Sequence, residues 1–338
     1  MMSFTISIAL ALRYRINSRV MKFRLSLLLF IVLRAFSGFG QEVLYPQPVH
    51  YITLHQERKT MRMAYMDVSP TGKSTGKSVI LFHGKNFNGA YWRDVIAFLS
   101  KAGYRVIVPV LVGWGKSDYP DIHYSFHALA ANNKHQLNSL KINKVTVIAH
   151  SMGGMLATRF TLLYPGLVSQ LILENPIGLE DYRTFVPYTP LDSLYKSEAS
   201  ATYESYRKYQ QSYYPTWKPA YDEWVRAQAA ALKDPRFREI AWVNALTYQM
   251  IYEQPVCYEF KHIKVPTLLI IGQADRTIVG KARVPKDLID QHGQYPMLGK
   301  RTQQQIPDSR LVALPGVGHI PHVQALEAYS KAVLEFLK

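Results

Sequence analysis

A chain of 338 residues is long enough for one large domain with a sizeable buried core, or for two small ones. Hydrophobic residues make up 48% and charged residues 19%, a balance that excludes an intrinsically disordered chain. The formal charge is +16, but residues 1–40 hold six of the basic side chains (Arg13, Arg15, Arg19, Lys22, Arg24, Arg34) and no acid, leaving +10 dispersed over the remainder. With no run of like charges and no aromatic-interleaved basic motif, this excess leaves no footprint for nucleic acid, only a generic preference for anionic surfaces or substrates.

The N-terminus reads as a leader. Met21-Lys22-Phe23-Arg24 is a basic segment, Leu25 to Leu33 an apolar run, and Gly38-Phe39-Gly40 places small residues just before Gln41. That apolar run is too short to span a bilayer comfortably. The expectation is a signal peptide within residues 1–40, starting at Met21 and cleaved before Gln41, with an uncleaved membrane-associated leader as the alternative. An exported protein, periplasmic or secreted, follows, with no stable membrane span once the leader is gone. No Cys lies near the cleavage point, so a lipoprotein anchor is not expected. The one cysteine, Cys257, has no partner for an intramolecular disulfide and reads as a packing residue.

In chain order, Val49 to Leu54 and Met61 to Val68 read as two strands joined by a short polar turn. Ser69 to Ser78 is a Pro/Gly/Ser/Lys loop. Gly76-Lys77-Ser78 and Gly115-Lys116-Ser117 resemble the end of a phosphate loop, but Thr71 and Val110 stand where that motif needs its first Gly. From Val79 short apolar runs recur at 79–82, 106–109, 145–148, 171–173, 268–271 and 311–314, separated mostly by helix-length stretches such as 92–101, 126–140 and 151–163. Runs buried on both faces and alternating with helices predict a mostly parallel sheet with helices on both faces, whose ligands gather at the carboxyl ends of the strands. Between Gly178 and Cys257 the alternation stops. About half of the tyrosines fall there, with Trp217, Trp224 and Trp242, and Ala220 to Leu232 is rich in helix formers. This predicts a helical cap at 178–257, inserted into an α/β core formed by 41–177 and 258–338; a helical subdomain remote from any substrate is the alternative.

The chemistry centres on Val145-Thr-Val-Ile-Ala149-His150-Ser151-Met152-Gly153-Gly154. A buried strand running straight into a helix forces the joining residue onto a sharp turn, and small residues on either side of it let backbone approach closely. That is the physical content of the G-x-S-x-G nucleophile elbow, here with Ala149 in the first Gly position. A serine hydroxyl needs a base to take its proton, and the base needs an acid to fix its tautomer. Asp275 follows the strand ending at Ile271 and His319 follows the strand ending at Leu314, in the chain order Ser, Asp, His. Two N–H donors should face the developing oxyanion: Met152, at the positive end of the helix after Ser151, and Lys85 in His83-Gly84-Lys85-Asn86, with Asn86 the alternative. Other residues compete for these roles: His322 for the base, and Glu174 or Asp181 for the acid. His150 flanks the nucleophile and should point away from it. His123 and His127 share a helix face without the Glu of an H-E-x-x-H site, so no metal is expected.

His83-Gly84, Gly113-Trp-Gly-Lys-Ser117, the Ser151 elbow, Asp275 and Gly318-His319-Ile320-Pro321 together resemble the α/β-hydrolase superfamily, of the capped single-chain type, over roughly residues 45–338. The resemblance implies the α/β-hydrolase fold and a Ser151–Asp275–His319 triad. It departs in Ala149 and in a long interval between Asp275 and His319, whose extra segment, 281–305, is a candidate wall of the pocket. Relatives that are haloalkane dehalogenases or epoxide hydrolases carry Asp at the elbow, and Ser151 excludes those readings. The leading expectation is a serine hydrolase cleaving a small or medium carboxylic ester, a small-molecule substrate, without cofactor. Carbon–carbon bond hydrolysis, cofactor-free perhydrolysis and aminopeptidase-like amide cleavage are alternatives on the same fold. A ligand-binding protein without catalysis is the alternative of another class. Oligomeric state is not legible.

Overall fold

The computed structural model describes residues 44–338; the leader expected within 1–40 lies outside them. Among the described residues an eight-stranded sheet has the order β1-β2-β4-β3-β5-β6-β7-β8. Strands β1 (His50–Gln56) and β2 (Lys59–Val68) form a hairpin in which Gln56 pairs with Lys59. The two linking residues, Glu57 and Arg58, both take positive φ (49° and 63°), the turn that matches strand twist. Strand β2 runs antiparallel to β4 (Arg105–Val110). From β4 onward the pairings with β3 (Ser78–Phe82), β5 (Val145–His150), β6 (Val168–Glu174), β7 (Thr267–Gly272) and β8 (Ser309–Leu314) are all parallel.

Side chains of the central strands alternate between two cores. Ile80, Phe82, Val147, Leu171, Leu173, Leu269 and Ile271 pack with residues of α2 (Phe126–Ser139) and α3 (Met152–Leu163). Val79, Leu81, Ile148, Ile172, Leu268 and Ile270 pack on the other face with α1 (Arg93–Lys101) and the C-terminal helix Leu326–Leu337. Each large apolar side chain so buried contributes about 1.5–3 kcal/mol, so the two filled faces hold the sheet, while β1 is mostly exposed.

The chain passes from β3 outward to β4, then crosses back so that β5 lies on the other side of β3. This reversal opens a crevice at the carboxyl ends of β3 and β5, where Phe82 pairs with Ala149.

Residues 178–257 contain no strand. They form α4 (Leu191–Ala199), α5 (Tyr203–Gln211), α6 (Asp222–Ala229) and α7 (Phe237–Glu253). The expected helix at 220–232 is shorter than its composition suggests: α6 is flanked by 3₁₀ turns at Pro219–Tyr221 and Ala230–Lys233. Thr202 and Ser205 form a capping box at the start of α5. Arg93 grips Glu223 with two hydrogen bonds of 2.9 and 2.7 Å, and Trp242 Nε1 donates to Asp121 at 2.8 Å, tying this helical segment to the core. The segment at 281–305 holds 3₁₀ turns followed by α8 (Tyr295–Gln305). A short helix, α9 (Pro321–Gln324), precedes the C-terminal helix, α10 (Leu326–Leu337). Cys257 is partly buried against the first core.

Candidate active site

Ser151 joins β5 to α3 at φ 54° and ψ −122°, a strained conformation for a residue with a Cβ. The strain persists because the peptide groups on both sides of it are hydrogen-bonded. Ser151 N–H donates to Glu174 O at 3.2 Å, and its carbonyl accepts from Gly154 and Ile177. Gly153 is obligatory in this turn: a Cβ there would lie 2.3 Å from Phe82 O. The Cα of Ala149 tolerates its methyl, which is fully buried in the first core.

The three residues expected to act together are brought together. His319 Nε2 lies 3.0 Å from Ser151 Oγ, and His319 Nδ1 lies 2.7 Å from Asp275 Oδ2. All three are buried. Because a carboxylate only accepts, Nδ1 carries the proton and donates to Asp275, leaving Nε2 to accept from the serine hydroxyl. Burial opposes the charge on Asp275. The facing His319 imidazole and hydrogen bonds from His319, Thr277 and Asn175 outweigh it and hold the carboxyl below the usual range. The acid and base loops fit together because Gly272 has no side chain; a Cβ would sit 2.1 Å from Gly318 O.

The two residues expected to face an oxyanion lie on a turn and at a helix end. Phe87 N–H donates to Gly84 O at 3.2 Å, closing a turn with Lys85 and Asn86 at its centre, and Gly84 approaches Ser151 so closely that a Cβ would be 3.1 Å from the serine Cβ. Among the described residues, neither Lys85 N–H nor Met152 N–H is taken up in a turn or loop bond. As the first residue of α3, Met152 has no partner within its own helix either. His83 anchors the loop: Nδ1 donates to Gly84 O at 2.9 Å and Nε2 accepts from Leu111 N–H at 3.1 Å. Burial pushes its imidazole down to about 4, so the ring is neutral. Trp114 Nε1 donates to Lys85 O, fixing the turn from the next strand's loop.

The competing residues are engaged elsewhere. His322 Nδ1 binds both oxygens of Glu174, at 2.8 and 3.0 Å, and its backbone N–H reaches the same carboxylate at 2.8 Å. Asp181 is held by Arg183 and Tyr258. Neither acid contacts His319. His150 turns away from Ser151: Tyr91 O–H donates to its Nδ1 at 3.1 Å, and its Nε2–H donates to His319 O at 2.8 Å. Burial, with the charges of His319 and His322, holds His150 well below the usual imidazole range. One expectation needs correcting. His123 lies before α2, which begins at Phe126, so His123 and His127 do not share a helix face; both instead border a surface groove of about 450 Å³. Among the described residues no group of three or more His, Cys, Asp or Glu could hold a metal.

Two participants escaped the sequence. Asn175 donates from Nδ2 to Asp275 Oδ2 at 2.7 Å and accepts Gly272 N–H at 2.8 Å, at a φ of 35° that asparagine tolerates better than most residues. Its signal was an amide at the end of β6, one residue beyond Glu174. Tyr213, from the inserted helical segment, stacks on His319, and only its aromatic character hinted at this.

The sequence pattern of the alpha/beta hydrolase fold family matches residues 77–326, and the chain belongs to that family. A solved structure from Pseudomonas aeruginosa PAO1, described as a "probable hydrolytic enzyme", is 43% identical, covers 87% of this chain and 96% of its own, and superposes with a TM-score of 0.85. A 2-hydroxy-6-oxononadienedioate/2-hydroxy-6-oxononatrienedioate hydrolase of Burkholderia vietnamiensis is 28% identical over 85% of this chain and 95% of its own. An uncharacterised protein of Mycobacterium tuberculosis is 34% identical over 134 residues, a match spanning 40% of this chain and 36% of that protein's length.

Proposed function

We propose that this protein is a serine hydrolase that cleaves a small or medium carboxylic ester through an acyl-enzyme. The observation that carries the proposal is the unbroken line from Ser151 Oγ through His319 to Asp275 Oδ2, with hydrogen bonds of 3.0 and 2.7 Å. As Ser151 Oγ bonds to the ester carbon, its proton passes to His319 Nε2 and the carbonyl electron pair moves onto oxygen. The Lys85 and Met152 N–H groups hold that oxyanion, each donor being worth roughly 3–4 kcal/mol in such sites. Collapse breaks the C–O bond, and His319 returns the proton to the leaving alcohol. Water then repeats the sequence on the acyl-enzyme and frees Ser151. None of these steps calls for a cofactor. The helical segment at 178–257 is proposed as a cap over this site, and export under the leader in residues 1–40 belongs to the same reading, with Gln41 as the N-terminus of the mature protein.

Carbon–carbon bond hydrolysis is the second reading, favoured by the Burkholderia relative. A panel of p-nitrophenyl esters from acetate to octanoate, run beside a 2-hydroxy-6-oxo-dienoate, separates the two. Ester turnover with an initial burst and a Ser151 acyl adduct in the mass spectrum is expected. Turnover of the dienoate alone would give the second reading its place. Ligand capture without turnover of any panel member would point to a binding protein.

A further inference from the structure

Tyr213 lies between α5 and α6, in the helical segment expected to form a cap, yet it touches both halves of the site. Its carbonyl oxygen accepts His319 N–H at 2.8 Å. Its ring stacks on the imidazole, with centroids 4.8 Å apart and planes at 28°. Its hydroxyl accepts from Asn86 Nδ2 at 2.8 Å, and the edge of its ring meets Tyr209, with centroids 5.4 Å apart. Asn86 is the partner of Lys85 at the centre of the turn proposed to hold the oxyanion. Gly318 records how close the backbones come: a Cβ there would meet Tyr213 O at 2.2 Å and Pro215 Cδ at 2.8 Å.

From these contacts we infer that Tyr213 is a positioning residue for the reaction: its ring packs on the imidazole of His319, its carbonyl holds the His319 backbone N–H, and its hydroxyl fixes the Lys85–Asn86 turn. The inference rests on the acyl-transfer reading above. One side chain thus sets the distance between the group that moves the proton and the donors that meet the oxyanion, and it comes from the helical insertion instead of the core. Asp275 and Ser151 hold the two ring nitrogens of His319, His150 binds its carbonyl and lies beside the ring, Tyr295 meets the ring edge-on, and Tyr213 is the side chain stacked on it. A tilt of the ring on the order of 1 Å at Nε2 is enough to cost roughly 100-fold in rate.

The test compares Tyr213→Leu, Tyr213→Phe, Asn86→Ala and the Tyr213→Phe/Asn86→Ala pair in the full protein. Fluorophosphonate inactivation and turnover of a p-nitrophenyl ester are both measured. The Leu variant should lose roughly 10- to 100-fold in kcat and in inactivation rate at nearly unchanged KM. The Phe variant keeps the stack and should recover most of that, remaining about 3- to 10-fold below the wild type, as one neutral hydrogen bond allows. Asn86→Ala should match Tyr213→Phe, and the pair should lose no more than either alone. Undiminished kcat in the Leu variant, a loss confined to KM, or additive losses in the pair would overturn the role. The Phe, Asn86 and paired variants keep it testable should the Leu variant fail to fold. A wild-type protein that fluorophosphonate leaves unlabelled would remove the acyl-transfer reading itself, and Tyr213's role with it; a labelled wild type confines any failure to Tyr213.

Discussion

Asn175 Nδ2 and His319 Nδ1 converge on the same oxygen, Asp275 Oδ2, each at 2.7 Å. The amide shares the carboxylate with the imidazole and so stabilises its charged form inside a site that burial would otherwise make hostile to charge. Asn175→Ala should lower kcat about tenfold by loosening Asp275, with KM little changed. Asn175→Asp should be far worse, because two carboxylates in contact cannot both ionise and His319 loses its fixed acceptor. Steady-state kinetics on one ester checks both; an Asp variant as active as the Ala variant would contradict the assignment.

Glycine is required at position 153 of the elbow for space. Gly153→Ala places a Cβ 2.3 Å from Phe82 O, which is backbone and cannot yield cheaply. Unfolding in urea should show a loss of about 1–3 kcal/mol. At Gly166 a Cβ would meet nothing within 4 Å, so Gly166→Ala should be neutral or slightly stabilising. Equal losses in the two variants would contradict the packing of β3 against the start of α3.

His83 makes stability depend on pH. Its imidazole titrates near 6.5 when unfolded and at about 4 when folded, so between those values the unfolded chain binds more protons and stability falls as pH falls. The share lost by pH 4 is on the order of 3 kcal/mol. His150, also depressed, adds in the same direction. Asp275 contributes only below the usual carboxylate range, where its folded-state advantage is lost. Chemical denaturation of wild type and His83→Asn from pH 7 to 4.5 should give a shallower pH slope in the variant. A pH-independent wild type would contradict the buried neutral ring.

Two histidines three residues apart in sequence should behave differently. His322→Ala takes the imidazole away from the buried Glu174 carboxylate, leaving it the backbone N–H of residue 322, and should cost about 1–3 kcal/mol in stability, while the line from Ser151 to Asp275 remains intact. His319→Ala should leave the fold and lose turnover by about 10³-fold or more. Thermal melts paired with ester kinetics separate the roles; the reverse pattern would make His322 the base.

Much of this molecule was legible in the residues. Strand runs such as 79–82 and 268–271 are buried on both faces, and β-favouring side chains with helix-forming stretches between them leave few other folds. Ser151, Asp275 and His319 were legible because each follows a strand directly, so strand order alone brings them to one edge. The contacts of Tyr213 and Asn175 were not, because they depend on how the helical insertion and the loop after β6 fold back, which no local periodicity encodes. His123 differs for a local reason: Ser125 caps α2 with its side chain on Ala128 N–H, so the helix starts at Phe126, three residues after His123.

The most direct measurement is the fluorophosphonate adduct, located by mass spectrometry in protein expressed from Gln41, beside Ser151→Ala and His319→Ala. The account predicts a single adduct on Ser151 that is absent in Ser151→Ala and forms at least about 100-fold more slowly in His319→Ala. A folded wild type that takes no label, or takes it equally fast without His319, would contradict an activated serine at this elbow.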